Sequence, residues 1–301
     1  MDIVEEIQRL KKEKDAVILA HYYARPEVQE VADYIGDSYY LSKTAAGLSQ
    51  STIVFCGVSF MGESAKILSP EKTVLMPDLT ADCPMAHMAD GDTVKEVREK
   101  YEDVAVVCYI NSTAELKTYA DVCVTSSNAV KIVKALPNKN IYFIPDKNLA
   151  HFVAEQVPEK NFIYNNGFCP THEKMEADEV QALKEAHPDA QVLSHPECAK
   201  EVREISDYLG STSGIIDYAT QSEGKEFIIC TEEGVSYQLM KNNPEKTFYF
   251  PETTPICPNM KKNTLEKIVN ALKNNEGEVQ VSDGLREASK PSLARMLELA
   301  K

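Results

Sequence analysis

The chain has 301 residues, of which 43% are hydrophobic and 26% are charged, and this composition is typical of a globular protein. Its length fits one large domain or two to three domains of ordinary size. The formal net charge of −15 argues against nucleic acid or an anionic membrane as a partner, because both are themselves negative. We therefore expect a protein that acts on small molecules.

The predicted elements begin with a helix over residues 2–14, in which apolar residues recur at helical spacing. The apolar run at 16–20 then predicts a strand that is buried on both faces of a parallel sheet. Pro26 suits the first turn of the helix that follows. Similar strand-to-helix passages recur along the chain and predict βαβ units, in which ligands bind beyond the carboxyl ends of the strands.

The same features return at intervals of 86 or 88 residues, which is the signature of an internal repeat. Cys-Pro steps at Cys83, Cys169 and Cys257 each follow a short apolar run. Three other features repeat with the same spacing. A first strand lies at 16–23, 104–111 and 190–197, and an aspartate-containing segment lies at 33–38, 121–126 and 207–212. A third strand lies near 53, 141 and 227. We predict three similar α/β units with parallel sheets flanked by helices, arranged around a pseudo-threefold axis.

The repeat divides the chain into a first unit at 1–86, a second at 87–172 and a third at 173–259. Residues 260–301 are too few for a fourth unit. Their apolar spacing predicts helices, and we expect these helices to pack on the first unit.

The N-terminus lacks the apolar segment of a signal peptide, and the longest apolar runs, such as 104–110, are too short to span a bilayer. We therefore expect a cytoplasmic location. In that reducing compartment the eight cysteines are expected to be buried or bound to metal rather than paired in disulfides. Five of them lie in or beside strand-like runs and are expected to be core residues, namely Cys56, Cys108, Cys123, Cys198 and Cys230.

The equivalent placement of Cys83, Cys169 and Cys257 beyond three strands predicts that their thiols meet at one point. Zinc is a candidate for such thiolates, but structural zinc sites normally have four protein ligands. An iron–sulfur cluster is favoured, and three cysteines leave one of its irons open. An open iron is a Lewis acid that can bind a substrate hydroxyl or carboxylate.

Polar side chains end the first strand of every unit. These are His21, Tyr109 and His195, and two residues later come Tyr23, Asn111 and Glu197. Residues i and i+2 share a face while the chain stays extended, so we expect three polar pairs near the axis. Such pairs supply hydrogen-bond donors and acid–base groups.

A hydroxyl residue stands at the start of a helix-like segment in each unit, at Ser38, Ser126 and Thr212. We expect these three residues to be N-caps. The free backbone N–H groups and the dipole of a helix N-terminus also bind carboxylate or phosphate, so an acidic protein can hold an anionic substrate there.

Several short motifs extend these observations, namely AHYY at 20–23, DYIGDS at 33–38, FMGESA at 60–65, YINS at 109–112, TSSN at 125–128, GFCPTH at 167–172, HPEC at 195–198 and GSTSG at 210–214. With these motifs the chain resembles the quinolinate synthase family, also called quinolinate synthetase A, over essentially its whole length. The resemblance implies three α/β units around a pseudo-threefold axis and a [4Fe-4S] cluster held by Cys83, Cys169 and Cys257.

The family's reaction condenses iminosuccinate (iminoaspartate) with dihydroxyacetone phosphate to quinolinate, releasing phosphate and two waters, in de novo NAD biosynthesis. The resemblance implies that the iminosuccinate part is bound by His21, Ser38, Tyr109, Asn111, Ser126, His195, Glu197 and Thr212. It implies catalytic roles for Tyr23, Tyr109, His172 and Glu197. It also implies a functional link to L-aspartate oxidase or aspartate dehydrogenase, which would supply iminosuccinate.

Two alternatives stay open at this point. The chain could be an iron–sulfur hydro-lyase of another small dicarboxylate, or a non-catalytic iron–sulfur sensor or carrier. A carrier needs a fully ligated and protected cluster, whereas here polar residues surround an incompletely ligated one. Lys225, in a glycine-containing turn, is either a solvated charge or a lysine on a lid.

Overall fold

The computed structural model describes residues 2–301, which form three four-stranded sheets flanked by helices. Every strand pairs in parallel with its neighbours in the sheet. The predicted fold class, α/β with three similar parallel-sheet units, is therefore confirmed.

The elements of the first sheet and its helices are α1 Ile3–Glu13, β1 Ala16–His21, α2 Pro26–Val31, β2 Tyr34–Gly36, α3 Ser38–Gly47, β3 Thr52–Cys56, α4 Ser59–Leu68 and β4 Thr73–Leu75. Those of the second are α5 Gly91–Lys100, β5 Val104–Tyr109, α6 Ala114–Lys117, β6 Val122–Val124, α7 Ala129–Ala135, β7 Asn140–Ile144, α8 Lys147–Gln156 and β8 Asn161–Tyr164. Those of the third are α9 Ala177–Ala186, β9 Gln191–Ser194, α10 Lys200–Glu204, β10 Tyr208–Leu209, α11 Thr212–Gln221, β11 Glu226–Cys230, α12 Val235–Asn242 and β12 Thr247–Tyr249. The C-terminal helices are α13 Leu265–Asn274 and α14 Asp283–Leu299.

Each sheet has the same strand order. The first runs β2-β1-β3-β4, the second β6-β5-β7-β8 and the third β10-β9-β11-β12. The order changes direction between the first and third strands of each unit, and the crevice beyond the carboxyl ends of strands at such a point is the usual ligand site. The strands β1 and β5 are buried at every residue, which explains their continuous apolar sequences.

An aspartate repeated in all three units ties the first strand to the second. Its Oδ2 accepts the N–H of a first-strand residue in the pairs Asp33 with Ile18, Asp121 with Val106 and Asp207 with Val192, at 2.8, 2.7 and 2.8 Å. The same carboxylates pair with a basic residue of the helix that precedes the first strand of each unit, namely Lys11 in α1, Arg98 in α5 and Lys184 in α9.

A repeated lysine lies just before the fourth strand of each unit. Its Nζ binds backbone carbonyls near the end of an earlier helix: Lys72 binds Leu48 and Gln50, Lys160 binds Leu136 and Asn138, and Lys246 binds Ala219, Thr220 and Ser222. Each lysine therefore satisfies carbonyl groups that the helix leaves without intrahelical partners.

The C-terminal helices contact two of the three units. Helix α13 packs on α1 and β3 of the first unit, whereas α14 packs on α4 of the first unit and on α6, α7 and β6 of the second. Buried Leu293 and Met296 form the inner face of α14. Among residues 2–301, no helix combines the length and apolar character needed to cross a membrane.

The first strands end earlier than the extended spans predicted at 16–23, 104–111 and 190–197. The strand β1 ends at His21, β5 ends at Tyr109, and β9 ends at Ser194, one residue before His195. In the first unit the backbone turns at once, because Ala24 N–H donates to the carbonyl of His21 at 2.9 Å. The expectation that strand alternation carries on to Tyr23 and its equivalents is therefore wrong.

Candidate active site

Residues that follow strand ends in all three units line one cavity of about 790 Å³. The cavity brings together every site residue predicted from the sequence, namely His21, Tyr23, Ser38, Cys83, Tyr109, Asn111, Ser126, Cys169, His172, His195, Glu197, Thr212 and Cys257. Residues that are up to 236 positions apart in the chain thus meet in one space.

Three half-buried cysteines, Cys83, Cys169 and Cys257, face this cavity, whereas the other five cysteines are fully buried elsewhere. Burial, together with the charges of Glu197 and Cys257, raises the pKa of Cys83 to about 12. Burial also raises the pKa of Cys169, again with contributions from Glu197 and from Cys83. The thiols are thus close enough to affect one another, and a bound cation is needed before they ionise together.

Carboxylates hold the backbone of two of these cysteines. The N–H of Cys83 donates to Asp82 Oδ1 at 2.8 Å, and the N–H of Cys257 donates to Glu232 Oε1 at 2.9 Å. Glu232 is fully buried and pairs with Lys261 at 3.0 Å, and the same lysine donates to the carbonyl of Tyr23 at 2.9 Å. The loop that carries Cys257 is therefore tied directly to the strand end of the first unit.

Two histidines are fixed in the same tautomer by backbone amides. Nδ1 of His21 accepts the N–H of Tyr23 at 3.1 Å, and Nδ1 of His195 accepts the N–H of Glu197 at 3.3 Å. Burial lowers the pKa of both histidines to about 3. Both rings are therefore neutral near pH 7 and carry their proton on Nε2, which in His195 lies 3.2 Å from Ser126 Oγ.

Glu197 is the centre of the polar network and is only 3% exposed. Its Oε1 accepts the hydroxyl proton of Tyr109 at 2.7 Å, and its Oε2 lies 2.8 Å from His172 Nδ1. Burial by itself would raise the pKa of Glu197, but His195, His172 and the hydrogen bonds from His172 and Tyr109 lower it below its ordinary value. Burial and the Glu197 charge raise the pKa of Tyr109, so the phenol stays protonated.

A chain of hydrogen bonds continues from the far side of His172. Its Nε2 lies 2.9 Å from Thr231 Oγ1, which lies 2.8 Å from the hydroxyl of Tyr23, which in turn lies 2.7 Å from Thr212 Oγ1. Burial and then the charge of Glu197 raise the pKa of Tyr23 well above 10. These groups link the strand ends of the first and third units in one continuous path.

Thr231 was missed by the sequence reasoning, although a signal was present. It is the first residue after β11, and the equivalent positions after β3 and β7 are Gly57 and Pro145. Only one of the three equivalents has a hydroxyl, so the position was not recognisable as a repeated polar site.

Asn148 was also missed. It is 5% exposed near the start of α8, and its Nδ2 donates to the backbone carbonyl of Glu197 at 3.0 Å and to Glu173 Oε2 at 2.7 Å. Glu173 immediately follows His172. One side chain thus holds the backbone of Glu197 and the segment that carries His172.

The predicted hydroxyl residues lie at the cavity, but Ser38 and Thr212 are not N-caps. The caps are the preceding residues Asp37 and Ser211, whose side chains accept the N–H groups of Tyr40 and Gly214. In the second unit the cap position is Asn128, two residues after Ser126. The N-cap expectation is therefore wrong for all three, because a residue one position earlier or two later begins the helix.

Asn111 also faces the cavity. Its side-chain oxygen is buried and has no hydrogen-bond partner among the described residues. A buried amide oxygen of this kind is costly unless a ligand satisfies it. Lys225, by contrast, is exposed at the amino end of β11, away from the strand ends that form the cavity, so it is a solvated charge rather than part of a lid.

Three parallel α/β sheets whose strand ends direct three thiols and a Glu–His–Tyr network into one cavity define an enzyme that acts on small molecules. A Cys–His–Glu group in that cavity could also hold a metal ion. The sequence model of the family described as quinolinate synthetase A protein matches residues 5–298, and the chain belongs to this family.

Curated relatives of the chain carry the name quinolinate synthase. The protein from Clostridioides difficile is 54% identical over 300 residues, which cover 100% of this chain and 99% of the relative. The one from Caldicellulosiruptor saccharolyticus is 53% identical over 298 residues, covering 99% and 98%. The one from Fusobacterium nucleatum is 54% identical over 296 residues, covering 98% and 99%.

Proposed function

We propose that the chain catalyses the quinolinate synthase reaction, in which iminosuccinate and dihydroxyacetone phosphate condense to quinolinate with loss of phosphate and two waters. The observation that carries this proposal is the position of Glu197. Its carboxylate binds Tyr109 from the second unit and His172, and its ligand oxygen lies within 4.8 Å of the thiol of Cys169. Acid–base groups and a thiol suited to metal thus lie side by side, as a dehydrating condensation requires.

We propose a [4Fe-4S] cluster held by Cys83, Cys169 and Cys257. The fit rests on three half-buried thiols that face one cavity and perturb one another's pKa. When bound with three cysteine ligands, such a cluster would keep one iron without a thiolate and supply Lewis-acid chemistry toward hydroxyl and carboxylate groups.

The dicarboxylate part of the substrate is proposed to be bound by neutral donors. His21 and His195 hold their protons on Nε2, since their Nδ1 atoms accept backbone amides. The hydroxyls of Ser38, Ser126 and Thr212 add further donors at the helix starts. Neutral donors in a buried site bind an anion without leaving positive charges that are unpaired when the site is empty.

Asn111 is proposed to accept a hydrogen bond from the substrate. Its unpartnered side-chain oxygen can receive the N–H of an imine or the O–H of a hydroxyl. The pairing would satisfy a buried acceptor only when the substrate is present. Such an arrangement favours substrates that carry a donor at that position.

Proton transfer is proposed to run along the path from Tyr23 to Glu197. If His172 Nδ1–H donates to Glu197, its Nε2 accepts the Thr231 hydroxyl, and Thr231 in turn accepts the hydroxyl of Tyr23. Both tyrosines have raised pKa values and therefore act as proton donors rather than as resident bases. Glu197, with its lowered pKa, is ionised near pH 7 and is therefore the anionic acceptor at the end of this path.

The test is anaerobic reconstitution of the chain with iron and sulfide, followed by addition of iminosuccinate and dihydroxyacetone phosphate and measurement of quinolinate and phosphate. We expect equal amounts of the two products. Hydration or dehydration of a single dicarboxylate without quinolinate would favour a hydro-lyase, and a stable cluster that supports no turnover would favour a carrier. Iminosuccinate is unstable in water, so the assay generates it in place with an aspartate-oxidising enzyme, the proposed source in the cell.

A further inference from the structure

The atoms that could bind a metal near Cys169 form a site of their own. Sγ of Cys169, a ring nitrogen of His172 and a carboxylate oxygen of Glu197 lie within 4.8 Å of one another. The sulfur is 3.2 Å from Nδ1, and Nδ1 is 2.8 Å from Oε2. We propose that these three residues form a mononuclear site for a divalent cation when the protein has no cluster on Cys169. Zn²⁺ is the best match for this site.

Two of the three separations between ligand atoms are close to those of a tetrahedral zinc site. Zinc bonds of about 2.3 Å to sulfur and about 2.0–2.1 Å to nitrogen and oxygen place neighbouring ligand atoms about 3.3–3.6 Å apart. The observed separations of 3.2 and 2.8 Å are shorter because His172 now shares a hydrogen bond with Glu197. Replacing that proton by a metal ion requires Sγ and Nδ1, and likewise Nδ1 and Oε2, to move apart by about half an ångström or less.

The neighbours of these ligands are placed as supports for a metal site. Thr231 Oγ1 lies 2.9 Å from His172 Nε2 and can accept its proton, which leaves the lone pair of Nδ1 free for a metal ion. Tyr109 binds Oε1 of Glu197, which leaves Oε2 for the same ion. Three protein ligands with a fourth position open to the cavity are typical of zinc sites that bind water or substrate.

The charges of the cavity also favour a cation. Six carboxylates line it, from Asp37, Asp82, Glu173, Glu176, Glu197 and Glu252. Among the described lining residues, Lys174 alone carries a fixed positive charge. Carboxylates of one sign in a concave site raise the local concentration of counter-ions, so a divalent cation is drawn toward Glu197.

A cation at this site would compete with the cluster, a conclusion that rests on the proposed function and its cluster ligands. The cation binds Cys169, which the cluster also needs, and it occupies both His172 and Glu197. Zinc and cluster therefore exclude each other, and zinc-loaded chain is expected to be inactive and resistant to cluster assembly. The zinc site itself, however, stands on its own residues and does not require the proposed reaction.

The test uses Co²⁺ and Zn²⁺ with the full-length, cluster-free chain under anaerobic conditions. We expect one equivalent of Co²⁺ to give a thiolate-to-metal charge-transfer band and the visible bands of a tetrahedral site, and Zn²⁺ to displace it. Cys169→Ser should lose the charge-transfer band, and His172→Gln and Glu197→Gln should weaken binding by at least about 10- to 100-fold, the range found even for outer-shell losses. Cys83→Ser and Cys257→Ser are the matched controls and should bind Co²⁺ as the parent does.

Loss of binding in Cys83→Ser or Cys257→Ser would place the ion among the three cysteines and overturn the proposal, as would unchanged affinity in His172→Gln and Glu197→Gln. Because a variant could fail to fold, X-ray absorption on the zinc-loaded parent gives an independent answer. One sulfur with nitrogen and oxygen neighbours supports the proposal, and three sulfurs refute it. Neither measurement uses activity, so failure of the proposed reaction leaves this result separate.

Discussion

Residues at equivalent positions of the internal repeat are more alike near the amino ends of the three sheets than beyond their carboxyl ends. Near the amino ends, equivalent residues are the same in all three units and make the same bonds. The aspartates are Asp33, Asp121 and Asp207, and the lysines are Lys72, Lys160 and Lys246. Beyond the carboxyl ends, equivalent residues diverge, as Tyr23, Asn111 and Glu197 do.

The difference follows from what each end has to do. At the amino ends each unit must solve the same local problem alone, joining its own strands and ending its own helices. At the carboxyl ends the three units share one cavity. Different groups at equivalent positions, namely the amide of Asn111, the carboxylate of Glu197 and the phenol of Tyr23, give that cavity more kinds of chemistry than three copies of one group would. Residues retained at the amino ends therefore indicate folding, whereas at the shared cavity the cysteines are retained and the other equivalents diverge, which indicates chemistry.

The largest effect is expected where the cavity end keeps its repeated residue, the cysteine. Cys169→Ser should abolish cluster assembly and turnover, because two thiolates cannot hold a cubane securely. Cys198→Ser, which changes a buried cysteine of the third unit, is the control and should keep both. Iron and sulfide analysis after anaerobic reconstitution checks this, and full cluster content in Cys169→Ser would contradict the assignment.

Replacing Glu197 should cost about 10²- to 10⁴-fold in the rate of quinolinate formation, the usual range for a general acid–base group. Glu197→Gln keeps the shape of the side chain but accepts the Tyr109 hydroxyl with less charge and cannot take up a proton. Single-turnover rates at matched cluster content are the measurement. The equivalent change at the first unit, Tyr23→Phe, should cost less, and a rate within a few-fold of the parent for Glu197→Gln would mean that the base is elsewhere.

A smaller loss is expected at Thr231, which connects His172 with Tyr23. Thr231→Val removes one hydroxyl with both of its hydrogen bonds and breaks the path while preserving the volume. A loss of about 1.4 kcal/mol corresponds to about tenfold in rate. We expect kcat to fall with KM little changed, since the hydroxyl contacts other protein groups rather than the cavity surface. A rise in KM at constant kcat would instead indicate a binding role.

At the amino ends the effect should appear in stability and not in chemistry. Lys160→Met removes the bonds from Nζ to the carbonyls of Leu136 and Asn138, at 2.6 and 2.7 Å, and should lower the free energy of unfolding by about 1–3 kcal/mol. Turnover per folded molecule should be unchanged. Exposed Lys134 of α7 offers the matched control, Lys134→Met, which should leave chemical denaturation close to that of the parent. If Lys160→Met had normal stability but slower turnover, the amino ends of the sheets would contribute to chemistry as well, which would contradict the proposed difference between the two ends of the sheets.

The last prediction concerns pH. Burial lowers the pKa of His21 from 6.5 to about 3, so the unfolded chain binds a proton below pH 6.5 that the folded chain does not. The stability contribution is complete above pH 6.5 and is lost as the pH falls toward 3, by up to about 1.4 kcal/mol per pH unit for this one group. Denaturation of the cluster-free chain between pH 7.5 and 5 should show a steeper loss for the parent than for His21→Asn. Equal slopes would mean that His21 titrates normally in the folded state.

The amino-acid sequence by itself determined the three units and the positions of their buried strands, because each buried strand is a local run of apolar residues. It also placed the cysteines and the polar residues His21, Tyr109 and His195 at the ends of strands or directly after them. The exact cap of each helix was beyond it, since Asp37 and Ser38 are both acceptable caps and only backbone geometry distinguishes them.

Only the tertiary structure decided which side chains meet across units. The bond from Tyr109 to Glu197 joins residues 88 positions apart, and the links of Thr231 to His172 and to Tyr23 span 59 and 208 positions. Such contacts leave no periodic trace in the sequence, because they depend on how the three sheets pack on one another. The same packing places α14 against both the first and second units, because the apolar face of a helix carries no information about its partner.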